Sequence, residues 1–94
     1  MLEGEIAIVT GGGQGIGKHA AKTLAEAGAT LVIADLNRET AEQTARELGA
    51  ISDTYPVALD VRSEDDVKRA FDDIASRLGG IDILVNNAGI VPHF

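Results

Sequence analysis

Four short apolar runs alternate with three amphipathic patterns along the chain. The runs are nearly continuous in apolar residues, which is typical of strands covered on both faces. They lie at Ile6–Val9, Leu31–Ala34, Tyr55–Leu59 and Ile81–Val85. The order β-α-β-α-β-α-β requires parallel strands joined by right-handed crossovers, so the sequence predicts an α/β fold. Because proline cannot donate to a strand ladder, Pro56 predicts an outer position for the third strand.

The first two amphipathic patterns predict helices with small or aliphatic inward faces. The first helix should begin near Gly15 and stop at Gly28. Its predicted inward residues are Ile16, Ala20, Leu24 and Ala27. The second helix should follow an N-cap at Asn37 and end before Gly49, because these residue types favour those two positions. Its predicted inward residues are Ala41, Ala45 and Leu48.

The third amphipathic pattern gives the clearest helix signal. Apolar residues recur at helical spacing at Val67, Ala70, Phe71, Ile74 and Leu78. Ser63 with Asp66 resembles a capping box, and Gly79-Gly80 ends the pattern. A group of acidic residues is expected to form a solvated face that favours the helix N-terminus. These acids are Glu64, Asp65, Asp66, Asp72 and Asp73.

The composition disfavours several classes of function. Fifteen acidic and 8 basic residues among 94 give a net charge of −7. Such a surface repels phosphate backbones and anionic lipid, so nucleic acid and membranes are poor candidate partners. The chain has no cysteine, hence no disulfide, zinc-thiolate site or thiol nucleophile, and a cytoplasmic location is compatible. We expect a soluble, untargeted chain, because no leader pattern or run of about 18 apolar residues occurs. We expect no metal site, because the spacing of the acidic residues in the third helix pattern does not bring several carboxylates to one point.

A glycine-rich segment, Thr10-Gly-Gly-Gly-Gln-Gly-Ile-Gly17, follows the first apolar run. A pyrophosphate can approach a backbone closely only where side chains are absent. The helix that follows offers unpaired N–H groups and the positive end of its dipole. This local arrangement would let an acidic protein bind a dinucleotide anion. The alternative interpretation is a flexible turn, which the strand before and the helix after disfavour.

Polar residues also follow the second and third apolar runs, at the edge where parallel sheets bind ligands. A carboxylate at Asp35 can accept hydrogen bonds from ribose hydroxyls and would repel a 2′-phosphate. Leu36 follows it and brings no compensating cation, so NAD is favoured over NADP. The alternative is an ordinary strand-end acid or a cap for the second helix. Asp60 can reach an adenine amino group, and Val61 can pack against the ring.

Two adjacent amides follow the fourth run, in Asn86-Asn87-Ala88-Gly89. Two amide side chains that are buried without hydrogen-bond partners would cost folding free energy. These two therefore either tie neighbouring strand ends together or border a ligand. Together with Thr10-Gly-x-x-x-Gly-x-Gly17 and Asp60, this segment resembles the signature of the classical short-chain dehydrogenase/reductase family. The resemblance covers the whole chain in order. Extended relatives such as sugar epimerases carry Thr-Gly-x-x-Gly-x-x-Gly instead, and position 14 here is Gln.

The resemblance implies a Rossmann-type sheet, strand order 3-2-1-4, and a set of residues that contact NAD. The pyrophosphate loop would be Gly11, Gly12, Gly13, Gln14, Gly15, Ile16 and Gly17. The adenosine ribose would contact Asp35 and Leu36, the adenine Asp60 and Val61, and the nicotinamide-side ribose Asn87, Ala88 and Gly89. Thr10 and Asn86 would brace the strand ends. NADP-using relatives often carry a basic residue at the position of Gln14, which also favours NAD.

The catalytic residues of the family have no counterpart among these residues. Family members transfer hydride with a Ser and a Tyr-x-x-x-Lys pair from the second half of the domain, whereas Tyr55, the only tyrosine here, is followed four residues later by Leu59. Residues 1–94 are therefore expected to be the N-terminal dinucleotide-binding half-domain without its catalytic half. The open interpretations are part of a dehydrogenase, an isolated or engineered binding module, and a protein–protein element that keeps only the scaffold. Lys18, His19 and His93 are expected to have no catalytic role.

The fourth strand is expected to lie at an open edge, because the family's fifth strand has no counterpart here. Within Ile81–Val85 the only charged residue is Asp82, and neither Pro nor Lys occurs. An open apolar edge is a template for pairing with another chain. The sequence therefore predicts a homo-oligomer, or pairing through the fourth strand.

We predict dinucleotide binding without dehydrogenase turnover by these residues, since no Ser/Tyr/Lys set exists to move the proton. Alcohols and ketones screened with NAD(H) should give no change in the absorbance of the reduced cofactor above buffer. Steady turnover that survives repurification would contradict the prediction and reveal a catalytic group among these residues.

Overall fold

The fold is a four-stranded parallel sheet with helices on both faces. The computed structural model describes residues 1–13 and 15–87. In chain order the elements are β1 (Ile6–Thr10), α1 (Gly15–Glu26), β2 (Thr30–Asp35), α2 (Arg38–Leu48), β3 (Thr54–Ala58), α3 (Glu64–Leu78) and β4 (Ile83–Asn86). Neighbouring strands are parallel in the order β3-β2-β1-β4. The predicted fold class and strand order are confirmed.

Successive strand residues point into two different apolar layers. On one face, Val9 and Leu31 pack with α1 and α2. On the other face, Ile8 and Val32 pack with Val67 and its neighbours on α3. Both faces of β1 and β2 are therefore buried, which explains why their sequences are continuous in apolar residues.

The caps of α2 and α3 lie where the sequence predicts them. Asn37 accepts a hydrogen bond from the Thr40 N–H, and the Ser63 hydroxyl accepts one from the Asp66 N–H. Gly79 ends α3 with φ 91°, a left-handed conformation that favours glycine. The expected capping box is only half formed, because the Asp66 carboxylate accepts from the Asp60 N–H rather than from Ser63.

The predicted inward face of α1 was wrong at its first residue. Ile16 is 80% exposed, and the buried positions are instead Gly17, Ala21 and Ala25. This stripe of small residues faces the sheet, and Ile16 lies one position away from it. The other predicted inward residues, Ala20, Leu24 and Ala27, are half-buried.

The two edge strands of the described sheet are β3 and β4. Pro56 lies in β3 opposite Ile33, so the outer position predicted from proline is confirmed. β4 begins at Ile83, two residues after the start of the predicted run. Just before it, the backbone N–H of Asp82 donates to the Ile6 carbonyl and its carboxylate accepts from the Ile6 N–H. Ile81 packs with the α3 layer instead of joining the strand.

Candidate functional site

The segment after β1 crosses over the carboxyl end of β2. The N–H of Gly11 donates to the Ala34 carbonyl at 2.7 Å, which joins this segment to the neighbouring strand. In a parallel sheet the ends of all strands meet at one edge, so the segments after the other strands lie near it. The site is built from these strand ends.

The peptide groups of Gly13 are held on both sides by side chains. Its N–H donates to the Asp35 carboxylate at 3.1 Å, and its carbonyl accepts from the buried hydroxyl of Thr44 at 2.8 Å. A Cβ at this position would lie 2.5 Å from Thr40 Cγ2 and 2.7 Å from the Asp35 carboxylate. The absence of a side chain at Gly13 is therefore required by packing within the protein.

Gly15 and Gly17 have different roles in the same segment. A Cβ at Gly17 would collide with the carbonyl oxygen of Gly11, so this glycine allows α1 to approach the end of β1. Gly15 has φ 61°, and among the described residues no atom outside its chain neighbours and its own helix backbone lies within 4 Å of the position of a Cβ. The first turn of α1 carries no acidic side chain. A helix N-terminus without an acidic side chain in its first turn suits an anion.

Thr10 ties the end of β1 to the end of β4. Its buried hydroxyl accepts from the Asn87 N–H at 3.1 Å and lies 3.3 Å from the Val85 carbonyl and 3.2 Å from Asn86 Oδ1, either of which can accept its proton. The Asn87 amide reaches the Gly11 carbonyl at 3.5 Å. This geometry matches the bracing role expected for Thr10 and Asn86. Three other predicted site residues, Gln14, Ala88 and Gly89, lie outside the described residues.

One cavity brings together the residues predicted to contact adenosine. Its volume is about 270 Å³, and its lining is Gly11, Asp35, Leu36, Leu59, Asp60, Val61 and Arg62. Whole small ligands fill pockets of roughly 300–1,000 Å³, so this space suits one part of an extended ligand. The ends of β2 and β3 thus meet around a common space, as the paired predictions for Asp35 and Asp60 require.

Arg62 holds the carboxylate of Asp60. Its Nε donates to Oδ1 at 2.9 Å, its Nη2 to Oδ2 at 3.1 Å, and its backbone N–H to Oδ1 at 3.0 Å. The side-chain hydrogen bond from Arg62, followed by the backbone bond, keeps the pKa of Asp60 below its ordinary value. The Asp60 N–H in turn donates to the Asp66 carboxylate at 3.0 Å. Asp66 is therefore a structural link, which corrects its expected place on a solvated face.

Three residues that support the site were not predicted from the sequence. The role of Thr44 could have been predicted, because Thr44 is a polar residue on the inward face of α2 that Ala41 and Leu48 define. Asp66 was predicted only as part of a capping box and of a solvated face, and its bond to the Asp60 N–H was not expected. Arg62 gave no signal, since charged residues beside a helix N-terminus are common.

Other titratable residues lie away from the adenosine cavity. Lys18 pairs with Glu47 at 2.6 Å, and both line a separate cavity of about 440 Å³ with His19. Tyr55 lines another cavity, of about 380 Å³, between β3 and α3.

Within residues 1–13 and 15–87, no group of three His, Cys, Asp or Glu could hold a metal ion. No helix in these two ranges has the length and apolarity to cross a membrane.

The sequence model of the short chain dehydrogenase family matches residues 5–94. The chain belongs to this family. Zerumbone synthase of Zingiber zerumbet is 46% identical over 89 residues, a match that covers 95% of this chain and 33% of the relative. The chain therefore spans about a third of the length of the curated relatives that it matches.

Two similar solved structures contain different cofactors. A 3-ketoacyl-(acyl-carrier-protein) reductase from Brucella melitensis, complexed with NADH, is 44% identical with a TM-score of 0.85, and the match covers 96% of this chain and 36% of that one. The RhlG/NADP complex from Pseudomonas aeruginosa is 40% identical with a TM-score of 0.87, and the match covers 95% of this chain and 36% of that one. These neighbours support a nicotinamide dinucleotide as the ligand class for the fold.

Thr44→Val should lower the free energy of unfolding by about 1–3 kcal/mol, because the Gly13 carbonyl loses its buried donor. Urea denaturation measures this change. Thr23→Val is the matched control, since the Thr23 hydroxyl donates to the His19 carbonyl on the exposed side of α1. The control should stay within about 0.5 kcal/mol of the parent. Equal losses in the two variants would contradict the role of Thr44.

Proposed function

We propose that the chain forms the NAD-binding part of an oxidoreductase that transfers hydride between NAD(H) and an alcohol or carbonyl substrate. The nicotinamide ring would supply the hydride chemistry, while the described residues bind and orient the cofactor. The observation that carries the proposal is the cavity that Asp35 and Asp60 line together with Gly11 of the glycine-rich segment, which leads into α1. It offers hydrogen-bond acceptors for a nucleoside and N–H donors for a pyrophosphate at one edge of the sheet.

The proposal assigns each part of the cofactor to a different strand end. The segment from Gly11 to Gly17, including Gln14 and Ile16, takes the pyrophosphate. Asp35 and Leu36 take the adenosine ribose, and Asp60 and Val61 take the adenine. The remaining assignments, of Asn87, Ala88 and Gly89 to the nicotinamide-side ribose, rest on the family resemblance. The exposure of Ile16 at the start of α1 agrees with a position beside a ligand.

The choice of NAD over NADP rests on the charges around the ribose position. The two oxygens of Asp35 accept from the N–H groups of Gly13 and Asn37, so the carboxylate is fixed in place. A 2′-phosphate beside it would be repelled. Among the described residues that line the cavity, the cation is Arg62, and its guanidinium is paired with Asp60. A 2′-phosphate would therefore lack an unpaired cation there.

NAD should bind more tightly than NADP, as measured by titration calorimetry with both dinucleotides. Asp35→Ala should weaken NAD binding by about 1–3 kcal/mol, the range for hydrogen bonds to a charged group, and should narrow the difference between the cofactors. Asp53→Ala is the control, because Asp53 is an exposed acid just before β3, at the opposite end of the strands. Tighter binding of NADP by the parent would overturn the assignment of Asp35.

The alternative function is a nucleotide-binding module without turnover. It is favoured by the position of Tyr55 in edge strand β3, where it lines a cavity other than the one that contains Asp35 and Asp60. No other tyrosine occurs in the sequence. Residues 1–94 should give no turnover in either case, so the parent reading frame distinguishes the two functions: a Tyr-x-x-x-Lys segment after Phe94 in a longer chain would favour the oxidoreductase.

We also propose that the chain self-associates through β4. In the described sheet β4 pairs with β1 alone, and Leu84 on this strand is 45% exposed. The carboxylate of Asp82 bonds to Ile6 on the β1 side, so it does not protect the other edge of β4, which pairs with no strand of residues 1–13 and 15–87. An unprotected apolar edge favours strand pairing with another copy.

Sedimentation should therefore give a mass that rises with concentration. Leu84→Lys should reduce the assembly, since a lysine on an edge strand discourages pairing. Ile51→Lys is the matched control, because Ile51 has nearly the same exposure but lies after α2, away from β4. A monomer at all concentrations, or equal effects of the two substitutions, would contradict assembly through this strand.

A further inference from the structure

We propose that Arg62 is a positioning residue for base recognition: by fixing the Asp60 carboxylate, it makes the site select a base that carries an exocyclic amino group. The inference deepens the proposed function and rests on it. Asp60 and Arg62 both line the adenosine cavity, so the pair adjoins the space where a base would lie. Arg62 was not among the residues expected from the sequence to contact the cofactor.

The hydrogen bonds of Asp60 leave its carboxylate little freedom. Arg62 contacts both oxygens through its guanidinium and one of them again through its backbone N–H. A planar guanidinium matches a carboxylate in this two-point geometry, which an ammonium group does not reproduce. The Asp66 carboxylate fixes the backbone of the same residue through the Asp60 N–H. Asp60 is therefore held at both its side chain and its main chain.

The fixed carboxylate can still accept a further hydrogen bond. Each carboxylate oxygen has about two acceptor directions, and Oδ2 receives one described bond, from Arg62 Nη2. The amino group of adenine is a donor that can use the remaining direction. Hypoxanthine has a carbonyl oxygen at that place, so two acceptors would face each other. Recognition of the amino group thus depends on where the carboxylate points, which is set by Arg62.

The surroundings of Arg62 distinguish positioning from a general contribution to stability. Its side chain is 78% exposed, and exposed ion pairs contribute little to folding. Removal of Arg62 should therefore leave the fold intact and alter ligand selection. The Arg77–Asp73 pair is a suitable comparison, because it is also an exposed arginine–aspartate pair but lines a different cavity.

The test compares NAD with nicotinamide hypoxanthine dinucleotide, in which the adenine amino group is replaced by oxygen. Both are titrated into the protein and into Arg62→Gln, Arg62→Lys and Arg77→Gln. The parent should prefer NAD by about tenfold or more, the equivalent of one hydrogen bond to a charged group. Arg62→Gln should reduce that preference by about threefold or more, Arg62→Lys should retain part of it, and Arg77→Gln should leave it unchanged.

The pH dependence of binding gives a second measurement. Arg62 lowers the pKa of Asp60, so the carboxylate of the parent remains ionised as the pH falls below the ordinary range of aspartate. In Arg62→Gln the pKa should return toward its usual value. The affinity for NAD should then begin to fall at a higher pH in Arg62→Gln than in the parent or in Arg77→Gln.

The outcomes separate this inference from the proposed function. If the parent prefers NAD and Arg62→Gln keeps the full preference, the role of Arg62 is overturned while the proposed function stands. Equal weakening of both dinucleotides in Arg62→Gln also overturns it, because a general structural effect does not change selectivity. A parent that binds both equally overturns recognition by Asp60, and a parent that binds neither overturns the proposed function and this inference together.

Discussion

Gly17 packs directly on the carbonyl oxygen of Gly11, and nothing larger than hydrogen fits between them. This contact brings the first turn of α1 onto the end of β1, so the connecting segment must turn within a few residues, with Gly15 at φ 61°. The same segment passes between β2 and α2, where Asp35 and Thr44 hold Gly13. A side chain at position 17 would move α1 outward and release these bonds. The orientation of the helix N-terminus thus depends on one close contact.

Because the net charge of the chain is −7, an anion can bind only where the local charges and dipoles favour it. The three helices differ in how their positive ends are compensated. The first turn of α3 carries Glu64, Asp65 and Asp66, and that of α2 carries Glu39, while the first turn of α1 carries no acid. Side-chain carboxylates therefore interact with the dipoles of α2 and α3, and the dipole of α1 remains available. An acidic surface and an anion site are compatible because the α1 end is left uncompensated.

The sequence predicted those parts of the fold that the local chemistry of single residues determines. Pro56 predicted an edge strand because it lacks a donor, and Asn37 and Ser63 predicted helix starts because their side chains cap. The exposure of Ile16 was not predicted, since it depends on how α1 packs on the end of β1. The bond from Ile6 to Asp82 was not predicted either, because it joins residues far apart in the sequence. For the site, Asp35, Leu36, Asp60 and Val61 line one cavity, and their contacts with a cofactor stay a prediction. The sequence did not predict the site roles of Arg62, Asp66 or Thr44. Thr44 bonds to Gly13, far away in the sequence, and the bonds of Arg62 and Asp66 to Asp60 depend on how the short segment between β3 and α3 folds.

Asp35 affects two properties of the site: the proposed preference for NAD and the position of the glycine-rich segment. Its Oδ2 accepts from Gly13 and its Oδ1 from Asn37, so the carboxylate joins the segment after β1 to the start of α2. A neutral small residue would remove the charge that disfavours a 2′-phosphate, but it would also leave the Gly13 N–H without its acceptor. An asparagine could supply only one acceptor oxygen for these two donors. Substitutions at this position therefore alter the phosphate-binding segment together with the ribose position, and only the ratio of NAD to NADP affinity separates the two effects.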